Sequence, residues 1–467
     1  MEVAANDYLS AENFRRDGNY FAADEKYDNA FLTQLGHMGP NAAAKSVLVA
    51  DTLLGKADNC RLLGNISLAR TLYAQSSWIY RKCQGVDSEG VVKCSFGIGN
   101  LLYTLGLYDE ANAVFLQVET QWIRFYTENS KEYSQVRTAL ALTNWKLGNF
   151  EKALTLATAS LDVVKRIYHH DMNEFEREWK KLHDEQEALK IHSQDASGVK
   201  LMQSGQRVES DLVNTYLCLA YVALSMGTFD KFEEYLAGAK RTLEKFQRSL
   251  RLIQISQGGD AQQVEGLGDE DHHLMADILQ CQVEKMLVMG QAREASKMIM
   301  KVMKFRIREF SRTANTEFTS FQATERRNQF FDSYDALSLM TIAKASLEMK
   351  KTSPGKSSDD KDMEAEVVNV DEDFGTAEND SEENTLPSAV KYNPVIVPPV
   401  FVYKSIPVIP HPATIDCLML RGRICMELYD FADAKEMFDA SARMMAKLLP
   451  HRQSLRKLSV RWHVLLC

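Results

Sequence analysis

Two pairs of adjacent histidines are the side chains in this sequence best suited to bind a metal ion. His169 and His170 precede Asp171 in "YHHD", and His272 and His273 end the stretch "DEDHH". Imidazole is a common zinc ligand, so the two pairs would form a site if folding joined them. Successive residues on a helix point about 100° apart, so each pair offers one ligand to any single site. The pattern therefore favours solvated helix ends, and we predict no metal.

Other motifs for catalysis or cofactor binding are missing or incomplete. "GIGNLL" contains Gly97-x-Gly99 but no third glycine and no preceding strand, so it is a poor dinucleotide motif. Neither a G-x-x-x-x-G-K-[ST] phosphate loop nor an H-E-x-x-H zinc helix occurs, and no serine or cysteine lies in a nucleophile motif. We predict no catalytic residues, no cofactor and no enzyme activity. The remaining alternative is an enzyme whose unrecognised site lies in residues 149–226.

Charge is concentrated in one segment of the 467 residues. Residues 359–383 hold twelve carboxylates and one lysine, so the rest of the chain has 54 basic and 52 acidic residues. A nearly neutral body gives no electrostatic support for binding a phosphate backbone. We therefore predict no nucleic acid partner.

The cysteines and apolar residues indicate the compartment. Eight cysteines are scattered without a C-x-x-C pair, which favours reduced, buried thiols in a cytosolic or nuclear protein. The first residues lack the pattern of a secretory signal, and no run of about 18 apolar residues occurs. We predict a cytoplasmic protein, with a nuclear location as the alternative, and no membrane contact.

Proline placement divides the chain. Eight of the ten prolines lie between Pro354 and Pro412, and none lies between residues 41 and 353. Because proline ends or kinks helices, the long proline-free part is predicted to be consecutive helices. We expect a helical array in residues 1–350, an acidic disordered and then proline-rich, extended linker in 351–412, and a final helix pair with a capping tail in 413–467.

A short phrase recurs in the helical part. "LLGNISLA", "TLGLYDEA" and "KLGNFEKA" place Gly64, Gly106 and Gly148 at intervals of 42 residues, with an alanine five residues after each glycine. Glycine can adopt the left-handed conformation that ends a helix, and alanine allows the next helix to pack closely. Each phrase is therefore predicted to be the turn of a helix–turn–helix unit in a solenoid.

The unit resembles the tetratricopeptide repeat. Its first helix has a small residue seven positions before the glycine, and an aromatic residue follows the alanine by four positions in two units. Weaker copies place turn residues at Gly18, Gly227, Gly290 and Tyr429, which gives seven units, about six of them before residue 351. The 42-residue interval resembles the repeats of kinesin light chains, but their paired asparagines are missing here, so their cargo preference is not implied.

The resemblance implies an all-α, right-handed superhelix with a concave groove lined by the first helices of the units. Counting from the turn residues predicts a groove that mixes aromatic, amide and cationic side chains, suited to a peptide or helix of a partner protein. The predicted positions are Arg61, Lys93, Phe96, Asn100, Tyr103, Gln135, Leu142, Trp145, Asn214 and Tyr221. The alternative is that the aromatic residues pack between adjacent first helices.

Three further hypotheses concern the irregular segments. "VVNVDED" (Val367, Val368, Val370, Asp371) resembles a SUMO-interacting motif, in which an apolar strand adds to a sheet edge. The apolar stretch "VIVPPVFVY" of the linker could occupy the groove and compete with other ligands. A charged helical insertion near residues 165–205 is either a docking helix or a solvated helix with one apolar stripe.

We therefore predict a protein-binding scaffold or adaptor, in kinesin-type or cytoskeletal assembly by analogy. The alternative is a nuclear or meiotic chromosome-associated scaffold of the same fold, for which a working SUMO motif would argue.

Overall fold

The structure is a computed structural model, and it describes residues 2–16, 18–189, 209–256, 273–310, 401–403, 406–408 and 411–448. The chain divides into two compact units. The first unit comprises residues 1–320 and 397–467 and includes every helix and strand given below. The second unit, residues 321–396, lies outside the described residues.

Within its described residues, the first unit contains seven antiparallel helix pairs, one short extra helix and one strand hairpin. Pairs 1 to 3 are α1 (Glu2–Arg16) with α2 (Tyr20–Met38), α4 (Val47–Leu62) with α5 (Ile66–Gln84), and α6 (Glu89–Thr104) with α7 (Tyr108–Trp122). The extra helix, α3 (Pro40–Ala43), lies between the first two pairs. Pairs 4 and 5 are α8 (Lys131–Lys146) with α9 (Phe150–Leu189), and α10 (Glu209–Ser225) with α11 (Phe229–Ser256). Pairs 6 and 7 are α12 (His273–Val288) with α13 (Ala292–Phe310), and α14 (Pro412–Glu427) with α15 (Phe431–Leu448).

The turn within each pair has one repeated geometry. The residue at the predicted glycine position has a positive φ in all seven pairs, from Gly18 at 78° to Gly290 at 71°. The amide after it donates to the carbonyl oxygen five residues earlier, as from Asn65 to Cys60 at 2.8 Å and from Asp430 to Cys425 at 2.9 Å. This bond satisfies a carbonyl that the ending helix leaves open.

Tyr429 shows that the turn geometry belongs to the fold and not only to glycine. It is the non-glycine residue with a positive φ, 62°, among the described residues. A side chain in this conformation costs roughly 1–2 kcal/mol, and the packing of pair 7 offsets this cost.

The core runs between the two helices of each pair and between successive pairs. The alanines after the turns, Ala23, Ala69, Ala111, Ala153, Ala295 and Ala434, are buried, and Phe232 takes this place in pair 5. Small residues of the first helices receive aromatic rings: a Cβ on Gly99 would lie 2.5 Å from the Phe115 ring, and one on Gly422 equally close to Phe438. Gly97 and Gly99, the incomplete dinucleotide motif, are therefore explained by packing, since Tyr73 fills the space at Gly97.

The prediction of an all-α array of repeated helix pairs is confirmed, and the described residues add one short hairpin. Strands β1 (Phe401–Tyr403) and β2 (Ile406–Val408) pair antiparallel, with Phe401 opposite Val408. The end of the predicted linker thus forms a hairpin, because its apolar, β-branched residues suit a strand ladder. The predicted acidic disordered part lies outside the described residues.

Two helix bounds refine the predicted domain limits. Helix α14 begins at Pro412, the last residue of the predicted linker, because proline suits the first position of a helix and His411 caps it. Helix α9 is 40 residues long and continues the second helix of pair 4 through Leu189, while residues 190–208 lie outside the described residues.

The path of the first unit turns back on itself. The ring of His273, at the start of pair 6, lies 6.1 Å from the ring of Tyr20, at the turn of pair 1. His411, at the start of pair 7, contacts the carbonyl oxygen of Leu62, at the turn of pair 2, at 2.6 Å. The start of each late pair therefore lies on the turn of the pair five positions earlier. We refer to the space on the side of the first helices as the channel.

Candidate functional site

The channel is lined by side chains from the first helix of each pair. The predicted groove residues are half-buried, apart from Asn214, which is exposed. They fall into two groups. The residues of one group contact neighbouring side chains of the channel wall. The residues of the other group lie near charged residues of pairs 6 and 7.

Two predicted groove residues, Phe96 and Gln135, are held by partners in the wall. Phe96 packs on Phe115 and Trp122, with ring centroids 5.6 and 5.1 Å apart. Gln135 donates from Nε2 to both carboxylate oxygens of Asp211, at 3.0 and 3.1 Å. Phe96 therefore packs on the second helix of its own pair, and Gln135 joins the first helices of pairs 4 and 5.

The surroundings of three more predicted groove residues, Lys93, Leu142 and Arg61, are also defined. Lys93 forms an ion pair with Glu89 at 2.6 Å, one turn earlier on the same helix. Leu142 packs against the buried cluster of pairs 4 and 5. Arg61 lies near His411, whose pKa its charge lowers, and so faces the contact between pairs 2 and 7.

Trp145 and Tyr221 form a stacked aromatic surface between pairs 4 and 5. Their ring centroids are 4.8 Å apart, with 24° between the ring planes. Trp145 Nε1 donates to Ser225 Oγ at 2.8 Å, which fixes the indole in this orientation. The ammonium of Lys146 lies 4.0 Å from the centroid of the Trp145 ring. The surface thus already accepts one cation.

Tyr103 and Asp416 bring pairs 3 and 7 to the same region. Burial raises the pKa of the Tyr103 phenol, and the negative charge of Asp416 adds to this effect. Burial also raises the pKa of Asp416, and the positive charge of Lys146 opposes it. The Asp416 side chain is nevertheless exposed, so water still reaches its carboxylate.

We refer to Tyr103, Trp145, Lys146, Tyr221 and Asp416 as the central cluster. The remaining charges of this region belong to pairs 6 and 7 and are paired. Asp277 forms an ion pair with Arg306, and Glu284 accepts from Arg423 at 3.1 Å. Burial lowers the pKa of Lys146, and the negative charges of Asp416 and Glu284 oppose this shift.

The sequence-based list of groove residues stopped at pair 5. Asp277 and Asp416 lie thirteen residues before the turn residues of pairs 6 and 7, at the position that Lys93, Gln135 and Asn214 hold in earlier pairs. The same register, continued through Gly290 and Tyr429, would have found them.

Neither a cluster of metal ligands nor a membrane-spanning helix is found among the described residues. Among the described residues there is no group of three or more His, Cys, Asp and Glu side chains placed to hold a metal ion. Exposed His169 and His170 stand on α9, and His273 contacts pair 1, far along the chain from them. No described helix has the length and apolar character needed to cross a bilayer.

Most of the described cysteines are buried. Burial raises the pKa of Cys94 and of Cys218 to about 12, so neither thiol ionises near neutral pH. The residues of the predicted SUMO-interacting motif, Val367, Val368, Val370 and Asp371, lie outside the described residues.

No protein-family model matches the chain, and no curated protein matches it. Several solved structures are similar. BtubC (BKLC) from P. vanneervenii has 17% identity and a TM-score of 0.33, over 51% of this chain and 79% of that chain. A Rap protein complexed with Competence and Sporulation Factor has 12% identity and a TM-score of 0.37, over 73% and 75%. TPR-like repeats of kinesin light chain type from Podosopora anserina have 13% identity and a TM-score of 0.26, over 56% and 96%.

The repeat itself is defined by this chain's own geometry. Its first helices carry small residues that receive aromatic rings, its turns have positive φ, and its second helices begin with buried alanines. The described chain is a solenoid of tetratricopeptide-like helix pairs.

Proposed function

We propose that this chain is a non-catalytic scaffold or adaptor whose channel binds an extended or helical segment of a partner protein. The observation that carries the proposal is the Trp145–Tyr221 stack, which joins two successive pairs at two of the predicted groove positions. Aromatic residues with polar neighbours are the side chains that contribute most to protein interfaces.

The side chains of the channel are better suited to bind a peptide than a small molecule. Amide side chains such as Asn100 and Asn214 can hydrogen-bond a peptide backbone, while the aromatic rings supply apolar anchors. The charges of the interior alternate in sign, so they favour a segment with complementary charges over a nucleic acid.

The cellular setting of this scaffold belongs to the proposal. The 42-residue interval and the thiol content favour a cytoplasmic adaptor in kinesin-type or cytoskeletal assembly. The second candidate is a nuclear or meiotic scaffold in which Val367, Val368 and Val370 bind SUMO. An image of the tagged protein separates the two, and SUMO titrated onto a peptide of residues 365–374 tests the motif directly.

The linker hypothesis belongs with this function as well. If the apolar segment before the hairpin competes for the channel, then deleting residues 354–410 will raise the affinity for a partner. Unchanged affinity after this deletion would rule out competition.

Proximity labelling tests the proposed function. We expect the full-length protein to label a set of proteins that the Trp145→Leu/Tyr221→Leu variant does not label. The matched control is Phe125→Ala, which removes an exposed aromatic ring from the loop after α7. If the double variant labels the same proteins as the wild type, the channel is not the binding site.

A further inference from the structure

The exposed apolar side chains of the described residues are concentrated at two places in the fold. Six of thirteen large ones lie at the turns of pairs 5 to 7, namely Met226, Val288, Met289, Met426, Tyr429 and Phe431. Five more lie at the starts of pairs 1 to 4 or in the connections that lead into them, namely Val3, Leu48, Val86, Ile123 and Phe125. The other two, Leu9 and Leu116, lie within helices.

The turns of pairs 5, 6 and 7 form one continuous row. Lys285 of α12 forms an ion pair with Glu233 of α11, close to the turns of pairs 6 and 5. Arg423 of α14 donates to Glu284 of α12 at 3.1 Å, and both residues lie six positions before the turn residue of their pair. Neighbouring turns are therefore held side by side. We refer to the six exposed apolar residues of this row as the late turn edge.

The starts of pairs 2, 3 and 4 form a second row. The Tyr80 hydroxyl, near the end of α5, donates to Asp51, near the start of α4. The Tyr126 hydroxyl, in the connection to α8, donates to Glu89, the first residue of α6. Each bond joins the approach to one pair to the start of the pair before it. We refer to the exposed apolar residues of this row as the early start edge: Leu48, Val86, Ile123 and Phe125.

Tyr429 is the most unusual residue of the late turn edge. Glycine holds the equivalent position in the other six pairs, and Tyr429 has a φ of 62° there. Its side chain is 80% exposed, so contacts of its own ring within the chain offset little of the backbone strain. The ring meets that of Phe431, which is 58% exposed, with 6.3 Å between the centroids. Exposed aromatic rings beside methionine are typical of a surface that another protein covers.

The chain already packs a turn against a start in two places. The ring of His273, at the start of pair 6, lies 6.1 Å from that of Tyr20, at the turn of pair 1, and occupies the space that a Cβ on Gly18 would need. His411, at the start of pair 7, contacts Leu62, at the turn of pair 2. A turn therefore receives the start of the pair five places later. Among the described residues, no later pair covers the late turn edge and no earlier turn covers the early start edge.

We propose that the late turn edge of one copy of this chain packs against the early start edge of a second copy. The contact has the same turn-to-start arrangement that the chain makes with itself. Pairs 5, 6 and 7 of one copy meet pairs 2, 3 and 4 of the other, in this order. Tyr429 and Phe431 then lie against the connection that holds Ile123 and Phe125.

The charges beside the two edges are complementary where pair 7 meets pair 4. Glu427 and Asp430, on either side of the turn of pair 7, are exposed. Arg124, in the connection to pair 4, is exposed as well. Opposite charges favour this pairing over the contact of two late turn edges, which would bring carboxylates together. The contact therefore joins unlike edges, and a dimer retains an open edge at each end.

Analytical ultracentrifugation of two variants tests the contact. Tyr429→Gly/Phe431→Ser removes both rings of the late turn edge and gives this turn the glycine of the other pairs, so the turn keeps its conformation. Val86→Ser/Ile123→Ser removes two apolar side chains of the early start edge. Leu116→Ser is the matched control, because Leu116 is an exposed leucine of α7 outside both edges.

We expect the mass of the wild type and of Leu116→Ser to increase with concentration and to pass that of a dimer, because open edges recruit further copies. Each edge variant alone will associate at least about tenfold more weakly, since a few buried side chains supply most of the energy of an interface. An equimolar mixture of the two edge variants will form a complex of two chains and stop there, because it contains one intact edge of each kind.

A wild type that stays monomeric up to about 100 μM, or whose mass stops at two copies, overturns this inference. A mixture of the edge variants that associates no better than either variant alone overturns it as well. Self-association does not depend on what the channel binds, so we expect Trp145→Leu/Tyr221→Leu to retain it. Failure of either proposal therefore leaves the other standing.

Discussion

His411 donates a hydrogen bond from Nε2 to the carbonyl oxygen of Leu62 at 2.6 Å, although 349 positions separate them in the chain. The other ring nitrogen, Nδ1, accepts the amide N–H of Ala413 at 3.1 Å and so caps α14. Both bonds together require the neutral imidazole with its proton on Nε2. One side chain therefore both begins pair 7 and joins it to pair 2.

Replacing His411 by alanine will loosen the contact between pairs 2 and 7. Loss of a buried hydrogen bond and of a helix cap predicts a destabilisation of about 1–3 kcal/mol. Hydrogen exchange will increase at the end of α4 and the start of α14, and thermal unfolding will show the lower stability. His37→Ala, an exposed histidine on α2, is the control. Unchanged exchange in α4 would show that the contact contributes nothing.

The same histidine makes stability sensitive to acid. Burial lowers the pKa of His411 from 6.5 to about 3, and the charges of Arg306 and Arg61 lower it too, while the bond to Leu62 raises it. Between these two values the unfolded chain binds a proton that the folded chain does not. Stability therefore falls as the pH falls through this range, by at most about 1.4 kcal/mol per pH unit.

The acidic residues of the channel act in the opposite direction. Burial raises the pKa of Asp277 and of Asp416, so the folded chain retains their protons longer and gains stability as the pH falls. Denaturation curves between pH 7 and pH 4 will show a smaller loss of stability in His411→Gln than in the wild type. Parallel curves for both proteins would contradict the assignment to His411.

Gly148→Ala and Gly36→Ala are predicted to change stability in opposite directions. Gly148 has φ +83°, and an added Cβ would have no atom within 4 Å. Gly148→Ala therefore destabilises only through the backbone conformation, by about 1 kcal/mol. Gly36 lies inside α2, also with free space, so alanine there stabilises by about 0.5–1 kcal/mol. Chemical denaturation measures both. A similar effect of the two substitutions would contradict the turn geometry at Gly148.

A buried ion pair joins pairs 1 and 2. Lys56 pairs with Asp28, and their side chains are 2% and 5% exposed. Asp24 lies 3.5 Å from the same ammonium. Lys56→Met leaves a buried carboxylate without its main partner, so it will destabilise by about 3–5 kcal/mol.

The double variant Lys56→Met/Asp28→Leu tests the origin of this loss. Because it removes both buried charges, it will regain most of the stability in urea denaturation. Lys26→Met breaks a more exposed pair with Asp7 at 2.9 Å and will cost less than about 1 kcal/mol. A double variant as unstable as Lys56→Met would show that packing, and not charge burial, causes the loss.

Local sequence predicted the repeated unit well. Turn residues with a left-handed conformation and closely packed alanines were both expected from positions relative to Gly64, Gly106 and Gly148. Even the weakest copy, with Tyr429 in place of glycine, has the expected turn. These features depend on contacts within about 30 residues, so they leave a periodic pattern.

The hairpin at Phe401–Val408 and the composition of the central cluster could not be predicted in the same way. The apolar linker residues were consistent with any extended conformation. Their sequence did not show which segment each strand would pair with. Trp145 and Tyr221 were expected in the groove, but their stacking on each other was not.

The 42-residue pattern was sufficient to identify helix pairs, their turns and the helices that face inward. Only the tertiary structure showed that pair 6 contacts pair 1 and that pair 7 contacts pair 2. The physical reason is that small rotations between successive pairs accumulate along a solenoid. The packing angles between successive pairs add up over five pairs and bring distant residues together. The local spacing of residues in the sequence does not predict these contacts.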